Sequence, residues 1–259
     1  MEPKKKRQVA LLIALLALLF LINYQTLNTT VQNYFSDDEI GIVERIVDGD
    51  TIIVNSTSVR LLGINCPEKG EQYYEEAKQY LEDLILNQTV KLEFGKEKYD
   101  LYNRKLAYVY FENQNINLQL VEKGFANYYF PSGKDVYYKQ FQEAWEQCIN
   151  NNLNLCEASN NKCIVLKEFD YSDEIVILEN ICSSSHVLTG WDLKDEGRKH
   201  FTFPNFTLEP NTQVEIKTGE GIDTKSILYW KGEKYVWTKT GDTLFLRDNK
   251  NKLVLWKNY

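Results

Sequence analysis

Apolar and polar positions follow three different patterns along this chain. Near the N-terminus, residues 9–22 form one unbroken apolar run. From residue 39 to residue 147, short stretches of alternating apolar and polar residues are mixed with stretches whose apolar residues recur every three or four positions. After residue 163 only short alternating stretches follow, separated by Gly, Pro, Asn and Asp. Alternation is typical of half-buried strands and the longer period is typical of amphipathic helices, so the chain divides into three parts.

The middle part predicts a small β-barrel with packed helices. Its first segment, GIVERIVDGDTIIV, alternates on both sides of an Asp-Gly pair and predicts two strands joined by a turn. Three further strands are predicted by SVRLLGIN, TVKLEF and KLAYVYF. Helical periodicity is found in residues 71–86 and in the segments NINLQLVEKGFA and DVYYKQFQEAWEQCI. This order of strands and helices is typical of an OB-fold, so residues 39–147 are predicted to form an α+β barrel domain.

The last part predicts a second domain of a different class. Residues 148–162 are rich in asparagine and carry two of the cysteines, which indicates a linker. Beyond them, EIVILEN, TQVEIKT, DTLFLRD and KLVLW are short alternating segments separated by turn residues. Residues 163–259 are therefore predicted to form an all-β sandwich.

The N-terminal apolar run predicts a membrane anchor. It follows four basic residues at positions 4–7 and spans about fourteen residues, whereas a full membrane span needs about twenty. No small-x-small cleavage site follows it, so we expect residues 1–24 to be an uncleaved anchor helix, with a removed signal peptide as the alternative. The basic residues favour the cytoplasmic side, which places the stalk at residues 25–38 and both domains outside the membrane. A cleaved segment would instead give a secreted protein.

Cysteine usage agrees with an exported chain. Four cysteines cluster in the second half of the sequence, and Cys66 stands apart from them. In an oxidising compartment the cluster suggests two disulfides, Cys148 with Cys156 and Cys163 with Cys182, although four cysteines allow three pairings. A zinc site is the rival interpretation, but the cluster contains no CxxC pair and no adjacent histidine.

Composition narrows the possible chemistry. The chain has two histidines and a net charge of −7, which leaves no material for a mechanism built on several histidines. Residues 36–147 contain 12 Lys and Arg against 20 Asp and Glu, so the barrel domain is acidic. Broad electrostatic attraction to a polyanion is therefore not expected, and any binding of nucleic acid must depend on particular residues.

Three polar segments carry the candidate chemistry. They are VDGDT with Asp50, VRLLGINCPE with Arg60, Asn65 and Glu68, and YDLYNRKLAYVY with Tyr102 and Arg104. Two arginines can hold phosphate oxygens through bidentate hydrogen bonds. Asp50 and the Asn65 carbonyl are hard oxygen ligands of the kind that calcium or magnesium prefers. Glu68 follows a proline that stiffens its loop and could accept a proton from water. Taken singly, each residue is better explained by a surface ion pair or a turn.

In order and spacing, the three segments together resemble the staphylococcal nuclease (thermonuclease) family over residues 39–147. The resemblance implies an enzyme that hydrolyses phosphodiester bonds of DNA and RNA with little sequence preference and leaves 3′-phosphate ends. It implies Ca²⁺ as the usual metal, with Mg²⁺ as the alternative.

The same resemblance assigns roles to individual residues. The metal ligands would be Asp50, Asn65 and the backbone carbonyl of Cys66. Arg60 and Arg104 would hold the scissile phosphate, and Glu68 would orient or deprotonate the attacking water. Tyr102 would contact a terminal phosphate or help line the nucleotide pocket. Tyr129, with Tyr128 as the neighbouring candidate, would supply an aromatic wall of the substrate site.

Two departures from the family pattern support a second hypothesis. Asn65 stands where the family commonly has a metal-ligating aspartate, so calcium should bind more weakly. Leu101 replaces a basic residue beside Tyr102 and removes a phosphate contact. With the acidic surface, these departures are also consistent with a weak or inactive nuclease-like module that binds nucleic acid or protein at the cell surface.

The second domain resembles a lamin-tail domain, which is an immunoglobulin-like sandwich. The segments that carry the resemblance are CIVLKEFDYSDEIVILEN, LTGWDLKDEG, FTFPNFTL and GDTLFLRDNKNKLV. It implies that Trp191 and Phe203 belong to the core. No catalytic cluster stands out in this domain, and its partner is not indicated. A surface adhesion protein whose sandwich carries the function is the third hypothesis, and a monomer is expected.

Overall fold

The computed structural model describes Lys5, Leu15 and residues 38–259. The predicted anchor and stalk therefore lie almost entirely outside the described residues. Among the residues that are described, no helix is long and apolar enough to cross a membrane. Ile40–Tyr259 packs as a single unit that contains both predicted domains.

The first domain is a closed barrel. Its strands are β1 (Glu39–Asp48), β2 (Thr51–Val54), β3 (Thr57–Leu61), β4 (Ile64–Asn65), β5 (Thr89–Tyr99), β6 (Lys105–Phe111), β7 (Gln114–Asn115) and β8 (Asn127–Tyr128). The main sheet has the order β3-β2-β1-β5-β6-β7, and β3 also pairs with β6 in parallel. This extra pairing closes five strands into an OB-like barrel, and β4 pairs separately with β8. The predicted barrel is confirmed.

Three helices cover the barrel, as the sequence periodicity predicts. They are α1 (Tyr74–Ile85), α2 (Ile116–Glu122) and α3 (Tyr138–Asn151). The helix α1 buries Ala77, Leu81 and Ile85, which lie on one face because they are four residues apart. Alternate residues of the strands fill the interior. These are Val43, Ile46, Ile52, Val54, Val59, Leu61, Val90 and Leu92.

The second domain is a β-sandwich. Its strands are β9 (Ile164–Asp170), β10 (Ile175–Asn180), β11 (His186–Val187), β12 (Asp192–Lys194), β13 (His200–Thr202), β14 (Thr207–Leu208), β15 (Gln213–Thr218), β16 (Ile227–Trp230), β17 (Thr243–Arg247) and β18 (Leu253–Asn258). The two four-stranded sheets have the orders β16-β15-β10-β9 and β13-β12-β17-β18. Both Trp191 and Phe203 are buried in the core between them, as predicted.

The segment predicted as a linker is structured. The helix α3 continues to Asn151, and a short 3-10 helix follows at Asn154–Cys156. Ala158 then forms a parallel bridge with Leu253 of the sandwich. The Lys252 ammonium pairs with the Glu157 carboxylate across the same junction. The asparagines that indicated a linker support tight turns, since Asn152 and Asn154 adopt positive φ angles of 55° and 45°.

The two domains share an apolar interface. The Trp145 ring of α3 is fully buried and meets Phe245 edge-on, with ring centroids 5.3 Å apart. Trp256 lies on the same ring at 6.5 Å. Arg247 is also buried here, and its Nη1 donates to the backbone carbonyl of Leu155 at 2.6 Å. Core residues of both domains therefore fix the sandwich against the barrel. The loops of the two domains meet in one defined arrangement as a result.

Both predicted disulfides are present. Cys148 is bonded to Cys156 and Cys163 is bonded to Cys182, so these thiols do not form a four-cysteine zinc site. Cys66 is free and buried.

Candidate active site

The candidate site begins at the turn between β1 and β2. Asp48 accepts a hydrogen bond from the backbone N–H of Asp50 at 3.1 Å, which shapes the Asp-Gly-Asp turn. Gly49 must be glycine here, since a Cβ would lie 2.8 Å from Cys66 and 2.9 Å from Ala77. The turn is thereby pressed against the loop that follows β4. Asp50 points inward and is 6% exposed.

Asp50 forms a buried ion pair with Arg60. Thr51 of β2 pairs with Arg60 of β3, and this register brings Asp50, the residue before Thr51, close to Arg60. An Arg60 Nη1 donates to the Asp50 carboxylate, and about a tenth of each side chain is exposed. Arg60 Nη2 also donates to the Asn65 Oδ1 at 3.3 Å. The structure therefore brings together three of the residues that the sequence predicts for one site.

The Asp50 carboxylate receives further hydrogen bonds. The Cys66 backbone N–H donates to its Oδ2 at 3.1 Å, and the Thr51 hydroxyl donates to its Oδ1 at 3.1 Å. Burial raises the pKa of the Asp50 carboxyl above its ordinary value, against the lowering effect of the Arg60 charge. Burial also raises the pKa of the neighbouring Cys66 thiol. Burial therefore favours the thiol form of Cys66 over the thiolate.

The donor set suits a hard divalent cation. Asp50 supplies carboxylate oxygens and Asn65 supplies an amide oxygen, both converging on Arg60. The thiolate is the form of cysteine that binds metals, so the burial of Cys66 disfavours a soft sulfur ligand here. Oxygen-only sets are those that Ca²⁺ and Mg²⁺ prefer.

Glu68 lies at the more exposed side of the site. Its backbone N–H donates to the Glu71 carboxylate at 2.7 Å, which fixes the loop after Pro67. About half of the Glu68 side chain, 49%, is exposed, so water can reach it. Its Oε1 lies 2.7 Å from the Nε of Arg198, a residue of the sandwich.

Arg104 and Tyr102 lie in the turn between β5 and β6. The Arg104 Nε donates to the Asp100 carboxylate at 2.7 Å, and its guanidinium lies 5.6 Å from the Tyr102 ring. The strands β3 and β6 pair in parallel, with Lys105 opposite Val59. The turn before β6 therefore lies at the same end of the barrel as the start of β3, the strand that contains Arg60. Among the described residues, the structure joins Arg104 to Asp100 rather than to Asp50, Arg60 or Glu68.

The two tyrosines after α2 have different surroundings. Tyr128 is fully buried, and its hydroxyl lies 3.0 Å from the Oγ1 of Thr243 at the domain interface. Tyr129 is partly buried, and its backbone N–H donates to Gly63 at 2.9 Å. A Cβ placed on Gly197 would lie 3.5 Å from the Tyr129 ring, so that ring borders the sandwich as well as the barrel.

Sequence reasoning missed the contribution of the sandwich. Residues 195–199, which we call the insertion loop, lie against the site. The Asn65 Nδ2 donates to the Gly197 carbonyl at 2.9 Å, and the Asn127 Nδ2 donates to the Glu196 carbonyl at 2.9 Å. The one signal in the sequence was Asn65 itself, because an amide can donate where an aspartate cannot.

A buried acidic cluster supports the insertion loop. The Glu196 carboxylate accepts from the Phe130 backbone N–H at 3.2 Å and from the Thr243 hydroxyl at 3.2 Å. Burial, together with the nearby Asp242 charge, raises the pKa of Glu196 to about 8. The same two causes raise the pKa of Asp195 to about 7. The hydrogen bonds of the Glu196 carboxyl therefore hold the loop, and burial favours the protonated form of Glu196 and Asp195.

Comparison with known proteins identifies the barrel domain. A family model described as a staphylococcal nuclease homologue matches residues 58–157. A thermonuclease of Staphylococcus intermedius is 32% identical over 126 residues, which cover 45% of this chain and 75% of that protein. The chain belongs to the staphylococcal nuclease family. Its membership supports a nuclease, that is, a hydrolase of nucleic acid.

Other relatives agree with this assignment to the nuclease family. An uncharacterized endonuclease of Haemophilus influenzae is 39% identical over 106 residues, covering 39% of this chain and 58% of that protein. Endonuclease YhcR of Bacillus subtilis is 33% identical over 124 residues, but they cover only 10% of that protein. A second family model, the lamin tail domain, matches residues 157–259. This nuclease-family chain therefore carries a lamin-tail domain, and both resemblances are confirmed.

Proposed function

We propose that this protein is a metal-dependent endonuclease that hydrolyses DNA and RNA with little sequence preference and leaves 3′-phosphate ends. The observation that carries the proposal is the buried Asp50–Arg60 pair, with Asn65 hydrogen-bonded to Arg60 and the accessible Glu68 in the loop that follows Asn65. Family membership supports the nuclease activity itself. Calcium as the metal and the position of cleavage belong to the proposal.

One group of residues would hold the metal, and the two arginines would bind the phosphate. Asp50, Asn65 and the Cys66 carbonyl would hold the cation, which when bound would neutralise a non-bridging phosphate oxygen. Arg60 is held rigidly by its bonds inside the barrel, so it presents a fixed guanidinium to the same phosphate. Arg104 would leave its bond with Asp100 in part to contact the opposite side of the phosphate.

The proton transfer falls to Glu68. Its carboxylate would take a proton from the water that attacks phosphorus, so that the new P–O bond forms as the P–O5′ bond breaks. The departing 5′ oxygen takes a proton from solvent, and the phosphate stays on the 3′ end. The exposed Tyr102 and the partly buried Tyr129 would contact the nucleotide on either side.

We propose that the protein acts outside the cytoplasm. The two disulfides support an oxidising compartment, because such bonds are rare in cytosolic proteins. The basic cluster and the apolar run at the N-terminus support export, either as an anchored protein or as a secreted one. A monomer that meets its nucleic acid substrate at the cell exterior is the simplest state that fits.

The test is digestion of single-stranded DNA by the purified chain from residue 25 to residue 259, with calcium, with magnesium and with a chelator. A Glu68→Gln variant serves as the matched protein, because it keeps the shape of the side chain and removes its basicity. We expect calcium-dependent cleavage to 3′-phosphate ends, reduced at least about 100-fold in the variant. Folded protein that binds the DNA and cleaves it with neither metal would overturn the proposal and favour the binding-module hypothesis.

A further inference from the structure

Three consecutive residues of the lamin-tail domain contact the nuclease site. Glu196 accepts from Asn127 through its backbone carbonyl, Gly197 accepts from Asn65, and Arg198 pairs with Glu68. Two of these contacts lie on β4 and the loop directly after it, at Asn65 and Glu68, and the third lies on β8, at Asn127. The carbonyl hydrogen bonds of Glu196 and Gly197 fix the loop backbone, so the Arg198 side chain extends toward Glu68 from a defined position.

A second cation of the same domain braces the same segment. Lys194 Nζ lies 3.8 Å from the Glu71 carboxylate, and that carboxylate accepts the Glu68 backbone N–H at 2.7 Å. The lamin-tail domain thus acts on Glu68 in two ways. Arg198 pairs with the Glu68 side chain. Lys194 lies beside the Glu71 carboxylate, which accepts the backbone N–H of Glu68.

We propose that Arg198 is a positioning residue for the nuclease reaction and that the lamin-tail domain thereby completes the active centre. The inference rests on the proposed function of Glu68. Arg198 restricts the Glu68 carboxylate to one orientation, so that its free oxygen faces the attacking water. Holding a catalytic group in place contributes to the rate because a misplacement of about 1 Å can reduce it about 100-fold.

The geometry favours positioning over blockage. Arg198 contacts one carboxylate oxygen, Oε1, through Nε. Among the described residues, the structure shows no hydrogen bond to the other oxygen, Oε2. With 49% of the Glu68 side chain exposed, that second oxygen can still receive a proton from water. A blocking arginine would be expected to engage both oxygens and to cover the carboxylate.

Asn65 shows that the loop and the site are fitted to each other. Its Oδ1 accepts from Arg60 while its Nδ2 donates to the Gly197 carbonyl, so the amide connects the metal side of the site to the insertion loop. A carboxylate in this position would place two acceptor oxygens against each other. The amide of Asn65 therefore fits this contact with the lamin-tail domain, which a carboxylate would not.

The experiment measures kcat and KM for single-stranded DNA with calcium in the chain from residue 25 to residue 259. The variants are Arg198→Ala, Arg198→Lys and, as a matched control, Lys225→Ala, which removes one exposed charge of the lamin-tail domain away from the site. We expect Arg198→Ala to lower kcat about 10- to 100-fold, with KM within about 3-fold of wild type. Arg198→Lys should recover part of kcat, and Lys225→Ala should match wild type.

Each other outcome overturns the inference in a recognisable way. If Arg198→Ala raises kcat, the arginine blocks the site. If it raises KM at unchanged kcat, the arginine binds substrate and does not position Glu68. If Arg198→Ala has the same kcat and KM as Lys225→Ala, the ion pair has no role in the reaction. If Arg198→Ala lowers the melting temperature and Arg198→Lys does not recover kcat, the role of Arg198 is structural alone. A wild-type protein that does not cleave would overturn the proposed function and this inference together.

Discussion

The two sides of the active site are held in contrasting ways. Asp50 and Arg60 meet inside one barrel, from neighbouring strands, and both are buried. Glu68 and Arg198 meet across two domains, in loops, and both are exposed by about half or more. The first pair is fixed by the closed sheet, whereas the second depends on how the lamin-tail domain is seated. The difference suggests that one domain builds the metal and phosphate side while both domains build the side that activates water.

The largest expected effect comes from removing the buried ion pair between Asp50 and Arg60. Arg60→Ala leaves the Asp50 carboxylate buried without its cation, which should lower the free energy of unfolding by about 3–5 kcal/mol and abolish cleavage. Urea unfolding followed by tryptophan fluorescence measures the loss. Arg45→Ala, an exposed arginine of β1, is the control and should cost less than about 0.5 kcal/mol. Equal effects of the two variants would show that the Asp50–Arg60 pair is not a structural element.

A pH titration tests the buried acidic cluster that supports the insertion loop. The Glu196 pKa rises from 4.5 to about 8 on folding because of burial and the Asp242 charge. The folded protein therefore binds more protons than the unfolded one across that range, so its stability should fall as pH rises from 4.5 to about 8. Glu196→Gln should give a shallower fall, since only the other cluster members still titrate.

The measurement is the melting temperature at intervals of pH, for wild type, Glu196→Gln and Glu209→Gln. Glu209 is an exposed glutamate of the same domain, so its variant should keep the wild-type slope. A Glu196→Gln variant that keeps the wild-type slope would contradict the raised pKa of Glu196.

A smaller effect is expected at the residue that joins the two sides. Asn65→Asp replaces the hydrogen bond to the Gly197 carbonyl by a contact between two acceptors, which should cost about 1–3 kcal/mol of unfolding free energy. The same change adds a negative charge to the metal side, so calcium should bind more tightly. Urea unfolding and calorimetric titration with calcium measure the two quantities.

Asn65→Ala is the matched variant for that test. It removes the hydrogen bond without adding charge, so it should destabilise the protein and also weaken calcium binding. A stability gain on Asn65→Asp would mean that the amide is not selected by the insertion loop.

The sequence predicted the side of the site that is local in the fold. The Asp-Gly-Asp turn and the strand that carries Arg60 are ten residues or fewer apart and joined by one hairpin register, so the motif implies their contact. The barrel, the sandwich and both disulfides were also predicted, since they depend on periodicity and on close cysteines.

The contacts between domains could not be predicted in this way. Asn65 and Gly197 are 132 positions apart, and although the amide of Asn65 can donate a hydrogen bond, the sequence does not show which residue accepts it. The asparagine-rich segment read as a linker because its composition suits loops, yet its residues cap α3 and lead directly into the sandwich. The packing of the two domains, with Trp145 against Phe245 and Arg247 against Leu155, decides where the insertion loop lies.

The central claim is that the two domains form one active centre, and a double-mutant cycle on Glu68 and Arg198 tests it most directly. Single-turnover cleavage of single-stranded DNA would be measured for wild type, Glu68→Gln, Arg198→Ala and the double variant. If Arg198 acts through Glu68, Arg198→Ala should slow wild type about tenfold or more and should have almost no further effect on Glu68→Gln. An equal slowing of both proteins would contradict the account, because Arg198 would then act without Glu68.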